Sequence, residues 1–189
     1  MNTKQFIKII EITGSNFVLG SKAGDLVLEA LRQRVFKSTN VLEVCFEGMC
    51  GVDACFVRNS IASFTKMYCG KIGVMVSNAE NENVLDNLCY GFGAKGMPLL
   101  IKNKDGSGSC YSTASSTQQQ ILSYVYMQNE TNTHQVAEFF DKSIPNASAA
   151  MKKLFDQGYL LAEKGTSPTG GIEYIFTPYF QCKEFKLCP

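Results

Sequence analysis

Apolar residues recur along the chain in two rhythms, and the change between them falls near residue 113. In the first part, short runs rich in β-branched residues alternate with amphipathic helical stretches. "FIKIIEI" (6–12) and "FVLGS" (17–21) predict two strands that pair across the TGSN turn. "GDLVLEALRQRVF" (24–36) sets Val27, Ala30, Leu31 and Val35 on one helical face and turns Arg32 and Arg34 outward. "VLEVCFEGM" (41–49) is a β-rich run carrying Glu43 and Glu47. "FVRNSIASFTKMY" (56–68) predicts a helix with Val57, Ile61, Phe64 and Tyr68 inward. A buried strand over 71–78, a helix over 82–92 around Val84, Leu85 and Leu88, and a strand over 97–103 complete the set. Strands separated by amphipathic helices imply a mixed or parallel sheet covered by helices.

Beyond the Gly/Ser/Thr-rich connector at 105–120 the class changes. "QQQILSYVYMQ" (118–128) is helical with Ile121, Leu122 and Val125 inward, and "NTHQVAEFFD" (132–141) follows, capped by Asn132 or Thr133, with Val136, Ala137 and Phe140 inward. In "SIPNASAAMKKLFDQGYL" (143–160), Ser143 suits an N-cap, Pro145 the first turn and Gly158 a left-handed stop. Ile144, Ala147, Met151, Leu154 and Phe155 share the inward face, leaving Asn146, Ser148, Ala149, Lys152 and Lys153 outside. "YLLAEKG" and "GIEYIFTP" are two β-runs joined by "TSPTG", a hairpin tip. Three helices followed by a hairpin is the order of a winged helix-turn-helix.

The run from Val136 to Leu160 resembles the winged helix-turn-helix of MarR-like bacterial regulators, whose small-residue-rich recognition helix runs into a "K-x-L-x-x-x-G-Y-L" ending and then the wing. The resemblance covers residues 117–180. It implies double-stranded DNA as a partner. Asn146, Ser148 and Ala149 would meet base edges early on the helix, while Lys152, Lys153 and, on the wing, Lys164 and Thr166 would meet phosphate.

"VLEVCFEGMCGVDACFVRNSIASF" (41–64) resembles STAS and STAS-like domains, the fold of anti-sigma-factor antagonists, and the element order extends the likeness over about 5–105. The resemblance implies a protein or small-molecule signal received around Asp53, Ala54, Cys55 and Arg58. The antagonists carry a phosphorylatable Ser or Thr at the start of this helix. Here the positions read Asp53-Ala54-Cys55, so control by phosphorylation is not expected. Asp53 supplies either a fixed negative charge at the helix start or an N-cap.

Charge modifies this picture. The net charge is +1, and from residue 113 onward six lysines and no arginine face seven acids, a net of −1. A DNA-binding module usually carries a basic footprint. The second reading is therefore a protein-interaction module in which the winged helix docks a protein and not DNA. Eight cysteines without an export signal predict free thiols in a cytoplasmic protein. Cys45, Cys50 and Cys55 lack C-x2-C spacing and His134 is the only histidine, so neither a metal nor any other cofactor is expected. "GFGAKG" (91–96) matches G-x-G-x-x-G but follows a helix and leads into a strand, the context of a helix stop rather than of a dinucleotide site. No activated nucleophile is visible, so an enzyme is not expected. No apolar run approaches the ~20 residues that cross a bilayer, so no membrane partner is expected.

Together these readings predict an α/β fold, a STAS-like mixed sheet with helices over 1–112, plus a small α+β winged helix-turn-helix domain over 113–182 and a tail over 183–189. The function they predict is a DNA-binding transcriptional regulator with a signal-binding α/β domain, homodimerisation being left open.

Overall fold

The computed structural model describes residues 3–112, 114–166 and 170–188. Its first part runs β1 (Lys4–Lys8), α1 (Ile9–Thr13), β2 (Phe17–Val18), α2 (Ser21–Arg34), β3 (Val41–Cys45), β4 (Gly51–Val52), α3 (Ala54–Asn59) and α4 (Ile61–Met67). Next come β5 (Gly73–Ser77), α5 (Glu82–Lys95), β6 (Leu99–Lys102) and β7 (Gly108–Tyr111). The remainder runs α6 (Ser116–Tyr126), β8 (Thr131–Asn132), α7 (Thr133–Phe139), α8 (Ile144–Asp156), β9 (Leu161–Thr166), β10 (Ile172–Thr177) and β11 (Phe185–Cys188). The architecture is mixed α/β. A six-stranded sheet has the order β1-β3-β5-β6-β7-β11; β1, β3, β5 and β6 are parallel, β7 is antiparallel to β6, and β11 is parallel to β7.

Both faces of the central strands are covered. Leu42, Val44, Val74, Val76, Leu99 and Ile101 form one core with Val27 and Leu31 of α2, Phe56 and Val57 of α3, Ile61 and Phe64 of α4, and Leu88 and Phe92 of α5. The alternate residues Val41, Met75, Leu100 and Cys110 form a second core with Ile121, Leu122, Val125 and Tyr126 of α6, Val136 of α7 and Met151 and Leu154 of α8. A strand buried on both faces reads as a continuous apolar run, as β3 and β5 do.

Several expectations change at this level. Residues 6–12 and 17–21 do not form a hairpin: β1 ends at Lys8, Ile9–Thr13 is a helical turn closed by Gly14 in the left-handed region (φ 65°), and β2 is only Phe17–Val18. β1 pairs in parallel with β3 and β2 with β4, because pairing inside a two-faced core buries more apolar surface than an isolated hairpin does. The helix expected over 56–68 breaks at Ser60 (ψ −99°), whose buried hydroxyl donates to the Phe56 carbonyl at 2.6 Å. Glycines set two close approaches between helices: a Cβ on Gly24 would lie 2.7 Å from the Phe56 carbonyl oxygen, and one on Gly91 would lie 2.5 Å from Val57. "GFGAKG" lies in the last turns of α5, with Gly96 left-handed (φ 65°) at the cap.

The last residues, expected as a tail, include β11, whose Phe185 stacks on Tyr126 with ring centroids 4.1 Å apart. Tyr179 lies over Gly73, where a Cβ would meet its ring at 2.3 Å, and its hydroxyl donates to the Gly158 carbonyl at 2.6 Å. Filling Gly73 must push this ring aside. Gly73→Ala is expected to lower stability by about 1–3 kcal/mol. Because one sheet serves both cores, far- and near-ultraviolet circular dichroism in urea should report a single coincident transition for wild type and variant. Two separated transitions in the wild type would contradict the shared core.

Candidate functional site

α8 is amphipathic along its length. Ala147, Met151 and Leu154 are fully buried; Ile144, expected inward, is 42% exposed at the first position of the helix, and Phe155 is half-buried. Ser143 stands at the N-cap position but makes no side-chain cap bond, whereas Gln157 ends the helix and Gly158 follows in the left-handed region (φ 80°). Asn146, Ser148, Ala149, Lys152 and Lys153 are all exposed, as are Lys164 and Thr166 on β9. The tip residues 167–169 lie outside the described residues.

β9 and β10 form an antiparallel hairpin, and β8 adds a third strand on the β10 side. This brings the hairpin against α8 and the start of α7. Thr133, Ser148, Lys152, Phe155, Tyr174 and Phe176 line a hollow of about 160 Å3 between them. Asn132 caps α7 with a reciprocal bond to Gln135. Of the lysines here, Lys152 is tied along its own helix to Asp156 at 2.7 Å, while Lys153 and Lys164 make no ion pair among the described residues. A solvent-exposed i,i+4 pair is weak, so Lys152 remains available to a polyanion at small cost.

The second set of expected residues lies on the other side of the sheet. Asp53 caps α3 by accepting from the Phe56 N–H at 2.7 Å, and it also receives the Gly20 N–H at 3.0 Å. Its carboxylate therefore locks the β2–α2 turn to the start of α3. Cys55 and Arg58 are exposed and Ala54 is half-buried. Phe17 and Leu19, both exposed, belong to the segment that Asp53 holds, and the Phe17 ring lies directly on Gly51. The structure thus separates the two groups of site residues: one lies along α8 and the hairpin, the other at the start of α3.

Packing contacts run between the two sides of the sheet. α3 continues through Ser60 into α4, and the loop after α4 touches the C-terminal end of α8: the Cys69 thiol donates to the Asp156 carbonyl at 3.6 Å and Gly70 packs on the Phe155 ring. Burial with the nearby Asp156 charge pushes the Cys69 thiol pKa up, so it stays a neutral donor.

One feature escaped sequence reasoning. Tyr124 of α6 packs on Phe139 (4.3 Å) and Phe140 (5.7 Å), and these rings with Met127 line an open apolar groove of about 460 Å3. Periodicity assigns Phe140 to the core, yet it is only half-buried, and Phe139 beside it is 63% exposed. The adjacent "FF" was the available signal.

All eight cysteines are unpaired, and burial pushes the Cys110 thiol up to about 12 and the Cys89 thiol up to about 11. Among the described residues, no group of three or more His, Cys, Asp or Glu could hold a metal ion, and no helix is long and apolar enough to cross a membrane. No protein-family model, curated protein or solved structure matches the chain.

The double role of Asp53 gives a direct expectation. Asp53→Ala removes a cap and the tie to Gly20 together and should cost about 1–2 kcal/mol in urea unfolding. An Asp53 that served only as a docking charge would leave stability unchanged.

Proposed function

We propose that this protein is a DNA-binding transcriptional regulator. In this reading the C-terminal three helices and hairpin act as a winged helix-turn-helix, and the STAS-like α/β part receives a protein or small-molecule signal around Asp53, Ala54, Cys55 and Arg58. The observation that carries the reading is the outer face of α8, where Asn146, Ser148, Ala149, Lys152 and Lys153 are exposed together beside a hairpin bearing Lys164 and Thr166. Small and amide side chains let a helix approach base edges, and the lysines reach the flanking phosphates. The contact of Cys69 and Gly70 with the end of α8 gives a signal at α3 a route to that helix.

The reading makes a modest electrostatic demand. With Lys152, Lys153 and Lys164 as phosphate contacts, the logarithm of affinity should fall with the logarithm of salt concentration at a slope of about −2 to −3 per protomer. A second reading, docking of a protein and not DNA, is favoured by one observation, the exposed Tyr124–Phe139–Phe140 groove.

Fluorescence-anisotropy titration of duplex DNA at two salt concentrations distinguishes them. Lys153→Ala or Lys164→Ala should weaken binding to every sequence and lower the salt slope by about one. Asn146→Ala should cost ~1–3 kcal/mol at one site position and leave the slope nearly unchanged. A wild-type protein with no salt-dependent binding would transfer α8 to the protein-docking reading.

A further inference from the structure

The end of α2 and the loop after α4 face each other at the amino ends of β3 and β5, and a hollow of about 310 Å3 lies between them. That volume is at the lower end of the ~300–1,000 Å3 that small-molecule sites occupy. Its floor is apolar: Val35, Tyr68 and Ile72 are half-buried and pack on the first core. Arg32, Lys37 and Lys71 stand around it, and among the described residues no acid lines it.

Both walls are braced. The Gln5 side chain of β1 holds the loop after α2 with three bonds. Its Nε2 donates to the Arg34 carbonyl at 2.8 Å, and its Oε1 accepts from the Phe36 N–H at 3.0 Å and the Thr39 hydroxyl at 2.9 Å. Opposite, the Tyr68 carbonyl accepts the N–H groups of Lys71 and Ile72, both at 2.9 Å, and the Tyr68 ring packs on Phe64. The first wall presents Phe36 to solvent, 67% exposed, at the hollow. A single exposed ring is ordinary on a protein surface. A ring on a braced loop beside a cationic hollow is a ready stacking surface.

The charge here is not cancelled. Arg32 pairs with Glu29 at 3.2 Å, whereas Lys37 and Lys71 make no ion pair among the described residues. Three cations against one acid leave two positive charges. The carboxyl ends of α2 and α4 lie at the same place, and each carries up to roughly half a negative charge. They reduce the excess without removing it.

We propose that this hollow binds a phosphate monoester carrying a flat ring, with Lys37 and Lys71 on the phosphoryl oxygens and Phe36 stacked on the ring. Above its second pKa of about 6 such a phosphate carries two charges, matching the two unpaired lysines, whereas a carboxylate carries one. The site is distinct from the outer face of α8 and from the start of α3, and it does not depend on whether the protein binds DNA.

Saturation-transfer NMR on the ring protons of phenyl phosphate, at constant ionic strength and about pH 8, tests the site. Wild type should bind phenyl phosphate about three- to tenfold more tightly than inorganic phosphate, measured by competition, because only the first meets Phe36. It should also prefer phenyl phosphate to benzoate. Lys37→Met or Lys71→Met should each raise Kd about tenfold. Lys37→Arg and Lys71→Arg, which keep the charge, should retain most of the affinity. Phe36→Ala should bring phenyl phosphate down to the affinity of inorganic phosphate. All three side chains are exposed, so their replacement leaves the fold intact. Lys22→Met, an exposed lysine removed outside the hollow, should bind as wild type does. No saturation transfer with wild type, a Kd unmoved by both lysine-to-methionine replacements, or an equal loss in Lys22→Met overturns the proposal. Benzoate bound as tightly as phenyl phosphate, or Phe36→Ala without effect, overturns the assignment of the ligand.

Discussion

The burial of β3 and β5 on both faces is the constraint on which the structure depends. Each of these strands must present apolar side chains to α2–α5 on one side and to the C-terminal helices on the other. Val41 and Met75 do for the second core what Leu42, Val44, Val74 and Val76 do for the first. The C-terminal helices therefore do not form a module hung on a linker; they complete the α/β sheet. Where a strand must come close to a partner ring, side chain is removed, as at Gly73 beneath Tyr179. Two buried tyrosines lock the arrangement, with Tyr126 donating to the Tyr159 carbonyl at 2.9 Å and Tyr179 to that of Gly158. Each pairs a buried hydroxyl that would otherwise be costly.

This integration bears on function. If the two parts shared only a flexible connector, an event at α3 would have no mechanical route to α8. Here the loop after α4 presses on the end of α8 through Cys69 and Gly70, and β11 returns the chain terminus to the sheet edge beside β7. Both ends of the C-terminal segment are thus held by the α/β part. The cost is that α8 is free only along its N-terminal half and outer face, where Asn146, Ser148 and Ala149 lie. Under the proposed regulatory function, a signal would act by small displacements of one packed body rather than by release of a tethered domain.

The electrostatics are local rather than global. A net charge of +1 provides no long-range field. Among the described residues six cations stand in ion pairs, Lys152 of α8 among them, whereas Lys153 and Lys164 near the hairpin stand in none. Screened surface pairs of this kind contribute little to stability.

Local pattern alone determined α2, α5 and α8 and most of their buried faces. Val27 and Leu31 of α2, Val84 and Leu88 of α5, and Ala147, Met151 and Leu154 of α8 recur at helical spacing, and periodicity over a dozen residues carries its own register. The outward set from Asn146 to Lys153 was legible for the same reason. Tertiary structure decided what local spacing does not encode: that β1 joins β3 and not β2, that Ser60 splits one apolar stripe into α3 and α4, and that Phe185 returns to stack on Tyr126. The lateral row formed by Lys8, Cys45, Ser77 and Lys102 belongs to this second kind, since residues so far apart become neighbours only through parallel pairing across four strands. Strand partners are chosen by the burial of a whole sheet, a sum over distant contacts that no window of sequence contains.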